Sequence, residues 1–256
     1  MAVTIPTDDF LTLLKAARIT SYKGKDDPTL ASAYVTTVTI DDPSGSGTTS
    51  ALTAISTDAL VVGQITYPCE GSIDPLLLDL SQVAWLEKML SQAKKNMAEL
   101  EGKNSDFTVS LTVGGDGMLI VETLTNGMKG EKDTRGEINL GNPDDFPVQV
   151  AMSDLNQVKI APPKDDGNNP IPEGRLQSST KVQSDVLSGA LGVFKEPVNQ
   201  WTLGHIAGRR VFTSGGVWRA VVPGSVPESD LDVNEPDVET VPVPTSGAPV
   251  DDQGDD

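Results

Sequence analysis

Residues 52–65, LTAISTDALVVGQI, consist of two short apolar runs joined by a Ser-Thr-Asp corner, and this stretch decides the fold. Thr and β-branched residues recur on both sides of the corner, which favours extended strands. The side chains of Ser56, Thr57 and Asp58 can hydrogen-bond their own backbone, so these residues favour a turn. The stretch therefore predicts a β-hairpin.

A helix followed by strands is predicted twice around this hairpin. Residues 7–19, TDDFLTLLKAARI, begin with a capping residue and carry an apolar helical face that comprises Phe10, Leu13, Leu14 and Ala17. Residues 79–100 form the clearest helix pattern, with Asp79 or Ser81 as its start signal. Its apolar stripe comprises Val83, Leu86, Leu90, Ala93 and Met97. Strand patterns lie at 33–40, 50–56, 59–67, 75–80, 106–113, 117–125 and 136–140.

The pattern is weaker after residue 140. Residues 146–152 and 157–161 could be short strands, and a long loop follows them because turn and breaker residues dominate. A third helix is predicted over 180–195, with an apolar face that comprises Val186, Ala190, Leu191 and Phe194. Strands at 198–206 and 209–224 follow, and a Ser-Gly-Gly hairpin divides the second of them.

The charge is distributed unevenly along the chain. The formal net charge is −18, and residues 225–256 contain ten Asp or Glu and no Lys or Arg. This segment is also rich in Pro and has no aromatic residue, so we expect a disordered tail that keeps the protein soluble or keeps copies apart. A specific binding motif in the tail is the alternative.

Residues that could support catalysis are few. Cys69 and His205 are the only cysteine and histidine, and a structural role for each competes with a Cys-His pair formed by folding. Acid pairs such as Asp144-Asp145 lie in Pro or Gly loops, where turn formation competes with weak divalent-ion binding. The sequence has no nucleotide-binding or zinc motif. We therefore expect a non-enzyme without a cofactor or a bound metal.

Several stretches, taken in order, resemble DNA sliding clamps, the family of the bacterial β clamp and its phage relatives. Residues 10–19, FLTLLKAARI, precede the hairpin corner as the first helix does in this family, and another hairpin follows the second helix. The Ser56-Thr57-Asp58 corner matches a hairpin corner that is common in this family. Residues 78–90, LDLSQVAWLEKML, look like the clamp's strand into its second helix. Residues 216–224, GVWRAVVPG, are similar to the closing strand of a β clamp. The resemblance covers residues 7–140 and 178–224.

The resemblance implies an α+β fold of DNA-clamp-like domains, each with helices on one face of antiparallel sheets. Residues 1–142 would form one such domain, 143–224 a second whose first helix the sequence does not show, and 225–256 the tail. Bacterial clamp subunits have three domains and close a ring as a dimer, whereas a two-domain chain suits a trimeric ring. The implied protein is a phage-encoded polymerase processivity factor in the host cytoplasm, with no membrane segment.

The implied partners are duplex DNA, a replicative DNA polymerase and a clamp loader. A ring that slides needs diffuse positive charge and no base-reading contacts. Five basic residues lie on or beside the helix faces opposite the apolar stripes and are the predicted DNA-facing residues: Lys15, Arg18, Lys23, Lys88 and Lys95. Lys on the solvent face of a helix is also the default of any soluble protein, so this explanation stays open.

Family members dock partner peptides in an apolar pocket near the end of the chain. The matching candidates in this sequence are Val217, Trp218, Val221, Val222 and Pro223. The chief alternative function is a β-rich phage structural or interaction protein with an acidic disordered tail. An inhibitory DNA mimic ranks last, because most of the concentrated acid lies in the tail.

Overall fold

The computed structural model describes residues 2–24, 26–42, 45, 47–101, 107–115, 117–124, 134–155, 181–202 and 210–222. Several expectations lie outside the described residues: the strand at 157–161, the acidic tail, His205 and Pro223.

Two units with the same order of elements, β-α-β-β-β, build the N-terminal part of the fold. The first unit comprises β1 (Ala2–Pro6), α1 (Thr7–Thr20), β2 (Ser32–Asp41), β3 (Thr48–Thr57) and β4 (Val62–Pro68). A short strand, β5 (Glu70–Gly71), precedes the second unit, which comprises β6 (Leu76–Asp79), α2 (Leu80–Glu101), β7 (Thr108–Val113), β8 (Met118–Leu124) and β9 (Arg135–Asn139). The predicted repetition is confirmed, and β1 is an element that was not predicted.

The hairpin between β3 and β4 forms as expected. The Asp58 carboxylate accepts hydrogen bonds from the backbone N–H groups of Leu60 at 3.0 Å and Val61 at 2.6 Å. The Thr57 hydroxyl donates to the Val61 carbonyl at 2.7 Å. Ser56 differs from the expectation, because its hydroxyl lies 2.5 Å from the Thr20 hydroxyl of α1 and so joins the hairpin to the helix.

The two long helices begin in different ways. At α2, Asp79 accepts hydrogen bonds from the N–H groups of Ser81 and Gln82, and Gln82 accepts one from the Asp79 N–H in return. This is a reciprocal capping box. At α1 the expected cap is wrong, because the Thr7 hydroxyl donates to the Phe107 carbonyl at 2.8 Å instead of to its own helix.

The sheets interlock the two units. Sheet A has the order β5-β1-β7-β8-β9. In the second sheet, sheet B, the strands of the two units have the order β4-β3-β2-β6. The first strand of each unit therefore pairs with the first strand after the helix of the other unit, β1 with β7 and β6 with β2. All of these pairs are antiparallel.

The C-terminal part continues sheet B. It contains a 3-10 turn at Pro143–Asp145 and the elements α3 (Val148–Leu155), α4 (Lys181–Val193), β10 (Val198–Thr202), β11 (Arg210–Ser214) and β12 (Trp218–Val222). β12 pairs antiparallel with β4, with Val221 opposite Val62, so the whole sheet has the order β10-β11-β12-β4-β3-β2-β6. The expected domain boundary at residue 142 thus separates two segments that share one sheet.

The expected strand at 146–152 is wrong, because most of this stretch is helix α3. The Pro147 carbonyl accepts hydrogen bonds from the N–H groups of Val150 and Ala151, both at 3.1 Å, which sets the first turn. Ala151, Met152 and Leu155 are buried on one face of the helix. Packing on the sheet therefore overrides the strand-like alternation of Val and Gln.

Two apolar cores lie on opposite faces of sheet B. The main core lies between the sheets and helices α1, α2 and α4, and a second cluster lies on the other face, where α3 packs. The predicted stripe of α1 is buried throughout, as is that of α2 up to Ala93. On α4, Val186 and Ala190 are buried, but Leu191 is 62% exposed and does not belong to the core.

Candidate nucleic-acid interface

Helices α1 and α2 lie side by side and are joined by two ion pairs. Arg18 Nη1 of α1 lies 3.0 Å from Glu87 Oε2 of α2. Lys94 of α2 pairs with Asp8 of α1. Residues near the end of α1 thus contact the early part of α2, and residues near its start contact a later turn. The two helices are therefore antiparallel.

Basic residues occupy the solvent side of this helix pair. Lys88 and Lys95 are seven residues apart on α2, opposite the buried Val83, Leu86 and Leu90, and both are exposed. Lys15 is exposed on the side of α1 opposite the buried Phe10. Both helices bury their stripes in the same core, so their opposite faces point to one side. Three of the five predicted DNA-facing residues thus lie on one surface.

The acidic residues at the helix seam are already paired. Glu87 binds Arg18 and Asp8 binds Lys94. Within the part of the chain that the structure describes, no carboxylate lies within salt-bridge distance of Lys15, Lys88 or Lys95. These ammonium groups stand on long flexible stems and remain available to phosphate oxygens.

The other two predicted residues, Arg18 and Lys23, line an open groove together with Lys15. The groove has a volume of about 340 Å³ and lies between α1, α4 and the start of α2. Its remaining lining comprises Ile19, Leu80, Asp185, Gly189 and Val193. We call it the basic groove. Gly189 permits the close approach of α4, because a Cβ there would lie 3.1 Å from a methyl group of Ile19.

The predicted peptide-pocket residues have a packing role in this structure. Trp218, Val221 and Val222 are buried and Val217 is half-buried. β12 lies between β11 and β4, so both of its edges are paired, and its side chains are buried in the cores on both faces of sheet B. The Trp218 ring packs on the Phe194 ring with centroids 5.1 Å apart. Peptide binding at these residues remains an untested prediction.

An open apolar groove lies elsewhere, on the outer face of sheet B. It has a volume of about 530 Å³, and its lining includes Tyr34, Phe146, Val150 and three prolines, with Asp74 and Asp144 among its polar members. The Tyr34 and Phe146 rings stack with centroids 5.7 Å apart. Burial and, to a lesser degree, Asp144 raise the pKa of Tyr34. Sequence reasoning missed this groove because α3, which carries Val150, read as a strand.

Cys69 is not a reactive nucleophile in this fold. Burial raises the pKa of its thiol to about 11, so the thiol stays protonated near neutral pH. Among the described residues, no three His, Cys, Asp or Glu side chains cluster as a metal site would require. None of the helices in the described ranges is long and apolar enough to cross a membrane.

The fold described above is that of the DNA sliding clamps. The DNA polymerase sliding clamp of Caulobacter crescentus aligns with TM-score 0.53 and 13% identity over 93% of this chain and 67% of that chain. The DNA polymerase sliding clamp of Pseudomonas aeruginosa aligns with TM-score 0.51 and 13% identity over 92% of this chain and 68% of that one. The sequence matches no protein-family model and no curated protein.

Proposed function

We propose that the protein is a DNA sliding clamp, a non-enzymatic processivity factor that encircles duplex DNA and tethers a DNA polymerase. The observation that carries this proposal is the basic surface of Lys15, Lys88 and Lys95 on the helix layer of a clamp fold, where none of the described carboxylates pairs with these lysines. A phage origin and a place in the host cytoplasm belong to the same proposal.

The chemistry of this surface suits sliding. Phosphate contacts position a protein on DNA without reading its sequence. Ammonium groups on flexible stems can exchange one phosphate for the next as the duplex moves. Each phosphate contact that forms releases condensed counterions and so adds to the salt dependence of binding. Outside this surface the net negative charge of the chain repels DNA, which favours binding inside a ring.

Ring closure requires edges that a neighbouring copy can occupy. β9 pairs with β8 on one side, and none of the described strands pairs with its other side. β10 is likewise an outer strand of sheet B. A head-to-tail ring joins two unlike surfaces, and these two edges meet that need. Since this chain spans about two thirds of the bacterial clamps it aligns with, we propose a ring of two or three copies.

Polymerase tethering needs a docking surface on the ring, and the apolar groove at Tyr34 and Phe146 is the proposed one. Val150 on its rim is 69% exposed, which is unusual for a large apolar side chain. Docking there would keep the polymerase at a high effective concentration near the primer end. A clamp loader from elsewhere would open the ring.

Retention on circular DNA tests the clamp proposal. Protein loaded on a nicked plasmid should stay bound through gel filtration in 0.3 M salt and should run off after the plasmid is linearised. Lys88→Glu with Lys95→Glu should reduce retention at least tenfold, because two phosphate contacts become repulsive. Lys88→Glu and Lys195→Glu form a matched pair of single-charge variants: Lys195 lies in the exposed loop after α4, so only Lys88→Glu should reduce retention.

Two results would count against the proposal. Equal loss from circular and linear plasmid would show that no ring encloses the DNA. A strictly monomeric protein at micromolar concentration would favour the alternative of a β-rich phage structural or interaction protein.

A further inference from the structure

The basic groove has a net positive lining that the helix seam does not neutralise. Lys15, Arg18 and Lys23 line it, and Asp185 is its only carboxylate among the described residues. Arg18 also forms an ion pair with Glu87, which lies beside the groove on α2. Lys15 and Lys23 have no carboxylate within salt-bridge distance in the described part of the chain. The groove can therefore accept an anionic ligand.

The same chain carries a polyanion. Residues 228–239 contain six Asp or Glu, and residues 225–256 contain ten, without a single Lys or Arg. These six carboxylates outnumber the three cations that line the groove, so several of them can contact the groove at once. Charge complementarity thus pairs the tail with the basic groove rather than with the apolar one, whose lining includes Asp74 and Asp144.

The described chain ends close to the groove. The Tyr22 N–H, beside Lys23, donates to the Thr57 carbonyl at 3.2 Å. Thr57 pairs with Val62, and Val62 pairs with Val221 next to the last described residue. Three successive backbone pairings span about 15 Å. Glu228 is six residues beyond Val222, and six residues can span about 20 Å, so the chain is long enough for the acidic segment to reach the groove.

We propose that residues 228–239 dock in the basic groove of their own chain and compete there with DNA. The DNA half of this proposal rests on the proposed clamp function. Docking is an intramolecular event, so its effective concentration is in the millimolar range or above. DNA must displace the segment before Lys15, Arg18 and Lys23 can contact phosphates. The tail therefore weakens the binding of free duplex more than it weakens the retention of DNA that a ring already encloses, because enclosed DNA stays at a high effective concentration beside the groove.

Carbodiimide coupling in the full-length protein tests the docking. The reagent joins a carboxylate to an amine only when the two are in contact, and mass spectrometry locates the bond. We expect Lys15 and Lys23 to couple to residues 228–239 at 50 mM salt and to lose the coupling at 1 M salt. Lys195, exposed but outside the groove, sets the background. A mixture of ¹⁵N-labelled and unlabelled protein distinguishes coupling within one chain from coupling between two.

Coupling of Lys15 and Lys23 that does not exceed the background at Lys195 overturns the proposal, as does coupling that joins different chains.

Competition with DNA is tested with a full-length variant in which the six acids of 228–239 become Asn or Gln. It should bind a 30-base-pair duplex about tenfold more tightly at 50 mM salt, and equally at 0.5 M salt. If the tail couples to the groove but the neutralised variant binds DNA no more tightly, the competition is overturned, and this result also counts against DNA binding at this face. If the tail does not couple but the protein is still retained on circular plasmid, only the docking is overturned.

Discussion

Arg18 of α1 contacts both carboxylate oxygens of Glu87 on α2, with Nη1 lying 3.2 Å from Oε1 and 3.0 Å from Oε2. The Arg18 side chain is 48% exposed and that of Glu87 is 14% exposed. One of the predicted DNA-facing cations is therefore held by a mostly buried anion. The pair orients the guanidinium at the edge of the basic groove and also limits how strongly it can attract phosphate.

Glu87→Gln should therefore increase DNA affinity. The change keeps the shape of the side chain but releases the Arg18 charge, so we expect two- to fivefold tighter binding to duplex DNA at 0.1 M salt. The slope of log K against log salt should steepen by about one, as for one added phosphate contact. Fluorescence anisotropy over a salt series measures both quantities.

The control for Glu87→Gln is Glu137→Gln, which removes an exposed carboxylate from the face of β9 that points away from α2. Equal gains in the two variants would mean that net charge alone determines the affinity. Because the Arg18 side chain is 48% exposed and Gln can still accept its hydrogen bond, Glu87→Gln should change the free energy of unfolding by less than about 1 kcal/mol.

Trp85 should contribute to assembly. It is 44% exposed on α2 and lies over Gly136 of β9, the outer strand of sheet A that no further described strand extends. Aromatic residues at the centre of an interface carry much of its binding energy. We expect Trp85→Lys to lower the mass measured by light scattering to that of the monomer at low micromolar concentration. Leu60→Lys is the matched control, because Leu60 is 65% exposed in the β3–β4 turn. A wild-type mass in the Trp85 variant would remove this surface from the interface.

Ala59 should be a site of stored backbone strain. Its φ of +73° lies in the left-handed region, which costs a residue with a Cβ roughly 1–2 kcal/mol. Ala59→Gly should therefore stabilise the hairpin by up to about 1 kcal/mol after the added chain entropy is considered. Urea denaturation gives the change.

Gly63→Ala, four residues further on, is the reverse exchange and serves as the control for Ala59→Gly, because its expected effect on stability has the opposite sign. The new Cβ would collide with the Thr20 side chain, so this variant should be less stable than wild type. A destabilising Ala59→Gly change would contradict the strain argument.

The stability should decrease in alkaline solution partly through Cys69. Burial raises the pKa of its thiol from 9.0 to about 11, so the unfolded chain loses this proton at lower pH than the folded one. The stabilisation that the protonated, buried thiol adds to the free energy of unfolding is fully present below pH 9 and is lost as the pH rises towards 11. The stability difference between wild type and Cys69→Ala should therefore shrink over that range in urea titrations. A constant difference between pH 8 and 10.5 would show that the thiol is not protected.

Local chemistry made much of the fold predictable. The Asp58 turn and the Asp79 cap depend on side chains that bond to neighbouring backbone, and the buried stripes of α1 and α2 follow the helical period. The pairing of β12 with β4 depends on residues 159 positions apart, Val62 and Val221, and no local pattern contains it. For the same reason the burial of Trp218 in the main core, against Phe194, was not visible in the sequence.

The candidate site was predictable in part. Helical spacing placed Lys15, Lys88 and Lys95 opposite the apolar stripes, and the structure leaves them exposed. The sequence could not indicate that Arg18 would bind Glu87, because the partner lies on another helix. Nor could it indicate the groove at Phe146, since α3 becomes a helix through Pro147 and through burial against sheet B.

The exchange of first strands between the two β-α-β-β-β units affects how the protein is made. β1 pairs with β7 through contacts such as Ala2 with Thr112, so sheet A cannot assemble until more than a hundred residues have left the ribosome. One edge of β4 pairs early with β3, but its other edge stays unpaired until Val221 of β12 has been synthesised. The first half of the chain therefore emerges with unsatisfied strand edges, and folding should be slow and late compared with translation. A nascent chain of this kind would depend on chaperones, and truncations within the described body should aggregate rather than yield a smaller folded piece.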